Sequence, residues 1–312
     1  MRVLVTGAGG FVGRHVVAEL AAGGHEVLGM DQPDVALAGV TRAWSGDLRD
    51  AAAVAQIIRE ASPDGCIHLA GIAYVPLGWT DPARVFSVNA TGTLNLLEAF
   101  RAEAPRARIV AVTSAEIYGL VTDERPLAED APLRPANLYA VSKLAADLST
   151  RLYAERYHMA VVTARPGNHI GPGQSSQFVA TGFAEQVAAI AAGRAESVVR
   201  VGNLDSRRDF MDVRDVAGGY RRLLEKGRSG AAYNLASGRQ ITIREILDGL
   251  CRLAGISPRI EVEAGRFRPA DASPRLDCSA IARETGWAPQ WPLEVTLRDI
   301  LADARRRLGQ TG

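Results

Sequence analysis

The feature that most restricts this chain stands at its first residues, MRVLVTGAGGFVGRHVVAEL. An apolar run is followed by three glycines spaced three apart, Gly7, Gly10 and Gly13, and then by an amphipathic run. The apolar run reads as a strand buried on both faces, and the amphipathic run as a helix. A junction this tight has a mechanical use for each glycine. Gly7 permits the turn, Gly10 lets a ligand approach the backbone, and Gly13 lets the helix lie close on the strand. The helix N-terminus then offers free N–H groups and a positive dipole end, which suits a pyrophosphate. Glycine triples also occur in ordinary loops; the strand–turn–helix context gives this one its weight.

The pattern continues along the chain. Strands are expected at Arg2–Thr6, Glu26–Met30, Gly65–Leu69, Arg108–Thr113 and Ala160–Arg165, and helices at Gly10–Ala22, Ala51–Ala61, Phe86–Ala102 and Asn137–Tyr157. Apolar strands alternating with helices specify an α/β fold, a Rossmann-type doubly wound parallel sheet. The last third changes character, with Pro- and Arg-rich loops, a short NLASG strand-and-turn and a helix near Ile243–Ala254. The division expected is 1–165 for a nucleotide-binding domain and 166–312 for a smaller substrate-binding lobe, some of whose segments return to the sheet. With 312 residues, 47% of them hydrophobic, the chain builds a substantial core. A net charge of +1 gives no field to recruit nucleic acid or an acidic membrane. The three cysteines, Cys66, Cys251 and Cys278, form no C-x-x-C pair and suggest neither a disulfide framework nor a metal site. No leader-like or membrane-spanning apolar stretch is seen, so a cytoplasmic protein is expected.

Two acids bear on the cofactor. Asp31 closes the second strand, where a carboxylate accepts hydrogen bonds from the adenosine ribose and repels a 2′-phosphate; this favours NAD(H) and leaves NADP(H) possible. Asp34 competes for that role. Asp47 in SGDLRD either reaches the adenine or caps the helix beginning near Arg49.

The chemistry is read from NLYAVSK. Tyr139 and Lys143 are four apart on an expected helix and share a face. A phenol titrates near pH 10, and a neighbouring ammonium favours its ionised form, so the pair makes a proton shuttle for an alcohol. VTSAEIYG places Ser114 at the C-terminal end of a strand, where open α/β sheets bind ligands. Glu116 follows two residues later.

With the glycine loop, Ser114, Tyr139 and Lys143 in this order, the chain resembles the extended short-chain dehydrogenase/reductase family over nearly its whole length. HLAG (His68–Gly71), SVNATGTLNLLEA (Ser87–Ala99) and RRDFMDVRDV (Arg207–Val216) support the resemblance. RPGNHIGPGQSSQFV (Arg165–Val179), VGNLDSRRDF (Val201–Phe210) and FRPAD (Phe267–Asp271) look like the GDP-mannose branch, and within it more like its reductases. The resemblance implies a sheet of about seven strands and hydride exchange between a nicotinamide and a nucleoside diphosphate sugar. It implies cofactor contacts from Phe11, Val12, Leu48, Leu69, Ala70, Gly71 and Asn89 as well. Asn168, Arg208, Arg268 and Asp271 would hold the substrate, with Arg207 a weaker candidate. His169 is expected as a polar turn residue, His68 as packing near the cofactor loop, and Trp79 and Trp287 as packing residues.

The leading expectation is a ketoreductase acting on GDP-4-keto-6-deoxy-D-mannose. Glu116 keeps a 4,6-dehydratase open, because elimination needs a carboxylate besides the tyrosine; a 4-epimerase is the related alternative. A non-catalytic nucleotide sensor on the same fold would not need the Tyr–Lys pair. The family's habit of pairing two long helices per subunit suggests a homodimer through Phe86–Ala102 and Asn137–Tyr157.

Overall fold

A computed structural model of the chain describes residues 1–120, 125–263 and 274–310. The first half runs β1 (Arg2–Thr6), α1 (Phe11–Ala22), β2 (Glu26–Asp31), β3 (Arg42–Ser45), α2 (Ala51–Ala61), β4 (Gly65–His68), α3 (Leu77–Thr80), α4 (Pro82–Phe86), α5 (Gly92–Glu103), β5 (Arg108–Val112), α6 (Leu138–Tyr157) and β6 (Val161–Pro166). There follow β7 (Asn168–Ile170), α7 (Val179–Ala191), β8 (Val198–Val201), β9 (Arg207–Asp212), α8 (Val213–Lys226), β10 (Ala232–Leu235), β11 (Gln240–Thr242), α9 (Ile243–Ala254), β12 (Arg259–Val262), α10 (Ser279–Thr285) and α11 (Leu293–Gln310).

Seven strands form one parallel sheet in the order β10-β6-β5-β4-β1-β2-β3. The chain winds outward from β1 to β3, then crosses to β4 and winds the other way. The order reverses between β1 and β4, and the crevice over the strand ends there is where such sheets bind ligands. Alternate side chains feed two cores. Val3, Val5, Ile67 and Val110 pack with α1 and α8, while Leu4, Cys66, Ile109 and Val161 pack with α2 and α5. Segments of the second half join the main sheet: β10 extends it beyond β6, and α8 and α10 cover it. The other late elements build a separate core, in which α7, α9 and α11 pack around Val199, Val201 and Ile241.

Helix α6, which carries Tyr139 and Lys143, is fixed at its N-terminus and at its middle. Asn137 caps it by accepting from the Ala140 N–H at 2.8 Å. Deeper in, Asp147 accepts two bonds from Arg165 of β6, at 2.7 and 2.8 Å, with both side chains fully buried. Tyr139, Lys143 and Asp147 follow at intervals of four, so the ion pair locks the roll of the helix face that bears the catalytic candidates.

The single helix expected over Phe86–Ala102 is interrupted. A π-helical turn spans Ser87–Thr91 between α4 and α5. The Thr93 hydroxyl donates to the Asn89 carbonyl at 2.6 Å and competes with the regular helical ladder there. The Asn89 amide is turned to bond the Ile72 backbone in both directions, at 2.8 and 3.1 Å.

Candidate functional site

A cleft of about 1340 Å³ lies over the C-terminal ends of the main strands, with the first half of the chain on one side and the late elements on the other. Its floor is the glycine loop. Gly7 has φ +72°, and a Cβ there would stand 2.9 Å from the Ala70 nitrogen. A Cβ at Gly13 would stand 2.0 Å from the Gly7 carbonyl oxygen. Neither position accepts a side chain, for the two reasons read from the sequence: a turn and a close helix–strand approach. At Gly10 an added Cβ would meet only the Gly7 oxygen, at 3.2 Å, because the remaining space is cleft. Gly10 also starts α1 with no side-chain cap, leaving first-turn N–H donors for a ligand. This cradle fits a dinucleotide pyrophosphate.

Phe11, Val12, Leu48, Leu69, Ala70 and Gly71 line the cleft. Asp31 does so at the end of β2, where its carboxylate accepts from the Gly9 N–H at 2.9 Å and the Gln32 N–H at 2.8 Å. It therefore also holds the glycine loop in shape. Asp47 lines the same end and is gripped by Arg49, whose backbone N–H donates to it at 2.9 Å and whose guanidinium holds its carboxyl below the ordinary range. The helix-cap alternative for Asp47 does not hold. Asp50 caps α2, accepting from Ala52 and Ala53 at 3.1 and 3.0 Å.

At the other end Ser114, Glu116, Tyr139 and Lys143 all line the cleft. Ser114 opens a short 3-10 turn and accepts from the Glu116 N–H at 3.1 Å, which brings Glu116 around to the same wall. Burial pushes the Tyr139 phenol up to about 12; the Ser114 hydroxyl pulls it back, and the Glu116 carboxylate pushes it further up. Burial pulls the Lys143 ammonium down to about 8. The Lys143 ammonium donates to the Val112 carbonyl at 3.1 Å. Desolvation is the largest influence on the phenol, and it favours the protonated form.

Asn89, expected to contact the cofactor, is buried here and braces its neighbours. It does not line the cleft, and its amide ties Ile72 to the Ser142 hydroxyl of α6, 3.0 Å away. His68 sits where expected, beneath the cofactor loop between the Thr6 and Thr93 hydroxyls at 2.7 and 3.1 Å, and burial pulls it down to about 3. His169 is not a turn residue. It lies in β7, lines the cleft and stacks on Phe11 with ring centres 6.2 Å apart. Trp287 is buried as expected, whereas Trp79 is 65% exposed on α3, a helix too short to cover it.

From the late elements, Asn168 and Arg208 line the cleft. Arg207 does not, pointing a guanidinium nitrogen at the Gln240 carbonyl 3.4 Å away. Arg268 and Asp271 lie outside the described residues. The sequence reading missed Arg84, Gln174, Arg200 and Tyr220, which also line the cleft. Arg200 carried a faint signal as a charge within the apolar run VVRV; the others had none. Among the described residues, no group of three His, Cys, Asp or Glu side chains is placed to hold a metal ion, and no helix is long and apolar enough to cross a membrane.

Comparison with known proteins agrees with this geometry. Over 309 residues, covering 98% of each chain, the sequence is 38% identical to GDP-6-deoxy-D-mannose reductase of Pseudomonas aeruginosa. The structure superposes on that of RMD from Pseudomonas aeruginosa complexed with NADPH with a TM-score of 0.89, at 37% identity and covering 98% of this chain and 99% of the other. It superposes on UDP-glucose 4-epimerase of Thermus thermophilus complexed with NAD with a TM-score of 0.86, at 31% identity and covering 98% and 99%. The family described as GDP-mannose 4,6 dehydratase matches residues 4–300. The sheet order, the glycine cradle and the Ser–Tyr–Lys constellation thus have one source: the chain belongs to the GDP-mannose 4,6-dehydratase family, within the extended short-chain dehydrogenases/reductases.

Proposed function

We propose that the chain reduces the 4-keto group of GDP-4-keto-6-deoxy-D-mannose to the alcohol of GDP-D-rhamnose. The observation that carries this reading is the end-to-end 38% identity to a GDP-6-deoxy-D-mannose reductase. The site chemistry agrees with it. A reduced nicotinamide cofactor, when bound, supplies the hydride. Tyr139 supplies the proton: a phenol held at about 12 keeps its proton across the neutral range and can give it to a forming alkoxide. Ser114 donates a hydrogen bond to the same oxygen as charge grows there. Lys143 binds the nicotinamide ribose and keeps positive charge near the phenolate that Tyr139 becomes. Asp31 favours NADH over NADPH through its carboxylate. Arg208 and Asn168 hold the diphosphate and sugar from the opposite wall. Arg268 and Asp271 join them on the resemblance alone. In this reading residues 1–165 bind the cofactor and present the catalytic groups, and 166–312 mainly bind the substrate.

Glu116, in the cleft beside Tyr139, favours a second reading as a 4,6-dehydratase that recycles its NAD. A paired assay separates the two. Purified protein is given GDP-mannose alone, or GDP-4-keto-6-deoxy-mannose with NADH or NADPH, following reduced-cofactor absorbance and product mass. Cofactor oxidation only with the keto sugar is expected. Loss of water from GDP-mannose without net cofactor change would establish the second reading, and silence in both arms would refute both.

The protein in this reading is a cytoplasmic homodimer. Leu94 on α5 and Leu148, Leu152 and Tyr157 on α6 are exposed apolar side chains on adjacent helices, a surface suited to a four-helix bundle with a second copy. Light scattering of the native chain against Leu152→Arg tests it, and an unchanged monomeric mass for both would exclude the dimer.

A further inference from the structure

Tyr220 is a buried polar group that the mechanism above does not use. It sits on α8, which packs under β4, β5 and β6, and its side chain is fully buried in the core that includes Val5, Ile67, Val110 and Val112. Its hydroxyl has no hydrogen-bond partner among the described residues. Buried phenols ordinarily find a partner, because an unpaired hydroxyl in an apolar setting forfeits the bonds water gave it. Yet Tyr220 also lines the catalytic cleft. The residue that carries the unmet donor therefore stands at the boundary between the core and the space a ligand would fill, with its hydroxyl on the buried side. Burial, and then the nearby Tyr139 phenol, push the Tyr220 hydroxyl far above the ordinary phenol range, so it remains a donor at any working pH.

The part of the cleft it faces follows from the topology. In the dinucleotide reading the glycine loop between β1 and α1 would hold the pyrophosphate, and Asp31 at the end of β2 would mark the adenosine half. The second half of a dinucleotide then extends the other way, over β4 to β6. Tyr139 reaches that stretch from α6, whose side chains pack on the α2/α5 face of the sheet. Tyr220 comes from α8 on the opposite face. A ring lying over these strand ends has one phenol on each side. On a nicotinamide, the group that can accept a hydrogen bond from the second phenol is the carboxamide oxygen.

We propose that Tyr220 is a cofactor-binding residue, its hydroxyl donating to the nicotinamide carboxamide from the side of the sheet opposite Tyr139. By holding the carboxamide, it fixes which face of the ring turns toward the sugar. This rests on reading the cleft as a dinucleotide site, and it does not require the reaction to be the reduction proposed above.

The test compares the native chain with Tyr220→Phe, which removes one oxygen and keeps the ring that fills the core. Each is titrated calorimetrically with NADH, NADPH, GDP and ADP-ribose, the last lacking the nicotinamide. The dissociation constants for NADH and NADPH should rise by roughly three- to tenfold in the variant, the worth of one neutral hydrogen bond. Those for ADP-ribose and GDP should stay the same, and the thermal midpoint without added ligand should not fall. Equal weakening of NADH and ADP-ribose would overturn the proposal, because the nicotinamide would then not be the partner. So would weakening confined to GDP, or no change at all. A nicotinamide-specific loss in a protein inactive on the keto sugar would uphold Tyr220's role while refuting the proposed reduction.

Discussion

Lys143 is charged, buried and served by one carbonyl in this structure, and that combination has a measurable consequence. Its side chain is 7% exposed, and its ammonium donates to the Val112 oxygen at 3.1 Å. Burial lowers its pKa from 10.5 to about 8. At about 1.4 kcal/mol per pH unit, holding the charged form in the fold costs about 3 kcal/mol at neutral pH. Lys143→Met keeps the length and apolar stem of the side chain and removes the charge. The variant should therefore be more stable than the native protein by up to about 3 kcal/mol, a rise in melting temperature of roughly 5 °C for a chain of this size, while losing its activity. The pH dependence gives a stricter check. Below pH 8 both folded and unfolded native chains carry the proton, and the full difference between variant and native protein is present. Between 8 and 10.5 the folded chain has released the proton and the unfolded chain has not, so the native protein gains stability with rising pH and the difference shrinks. Calorimetric melting of both proteins from pH 7 to 10 tests this. A variant that melts at or below the native temperature at pH 7, or a gap that does not narrow above pH 8, would refute the argument that Lys143 is held at a cost to the fold.

Other outcomes follow from the same geometry. Because burial pulls the Lys143 ammonium down to about 8, kcat/KM should fall above that pH, as a pH–rate profile with the keto sugar would register. Tyr139→Phe should lower kcat by roughly 10²- to 10⁴-fold with little change in the NADH dissociation constant, measured by steady-state kinetics and calorimetry. Asp147→Ala leaves Arg165 buried without its counter-charge and should destabilise the fold by about 3–5 kcal/mol in urea unfolding. His68, held neutral by burial down to about pH 3, is protonated in the unfolded chain below about 6.5, so stability should decline as pH falls between those values, at up to about 1.4 kcal/mol per pH unit.

The glycine loop and the Tyr–Lys pair were legible because their meaning is local. Gly7 and Gly13 are demanded by contacts within one strand–turn–helix unit, and Tyr139 and Lys143 share a face because a helix repeats every 3.6 residues. The boundaries of β1, α2 and α9 were legible for the same reason: apolar runs and helical periodicity are properties of short windows. Trp79 and His169 escaped such reading, since exposure and stacking depend on which distant segment arrives alongside. The bonds of Asn89 to Ile72 and to Ser142 of α6 were likewise invisible in the motif, because they join segments far apart in the chain.

Sequence alone therefore determined that this chain winds a parallel sheet, cradles a dinucleotide and carries a phenol–ammonium pair, since periodicity and turn chemistry act over a few residues. Tertiary structure alone decided the direction in which that pair is shifted, because burial of Tyr139 and Lys143 depends on strands and loops far away in the chain. It also decided that Tyr220, an unremarkable residue of an amphipathic helix, lines the cleft with a buried hydroxyl that has no hydrogen-bond partner among the described residues. A hydrogen bond left unmade becomes visible only when every neighbour that might have made it is in place.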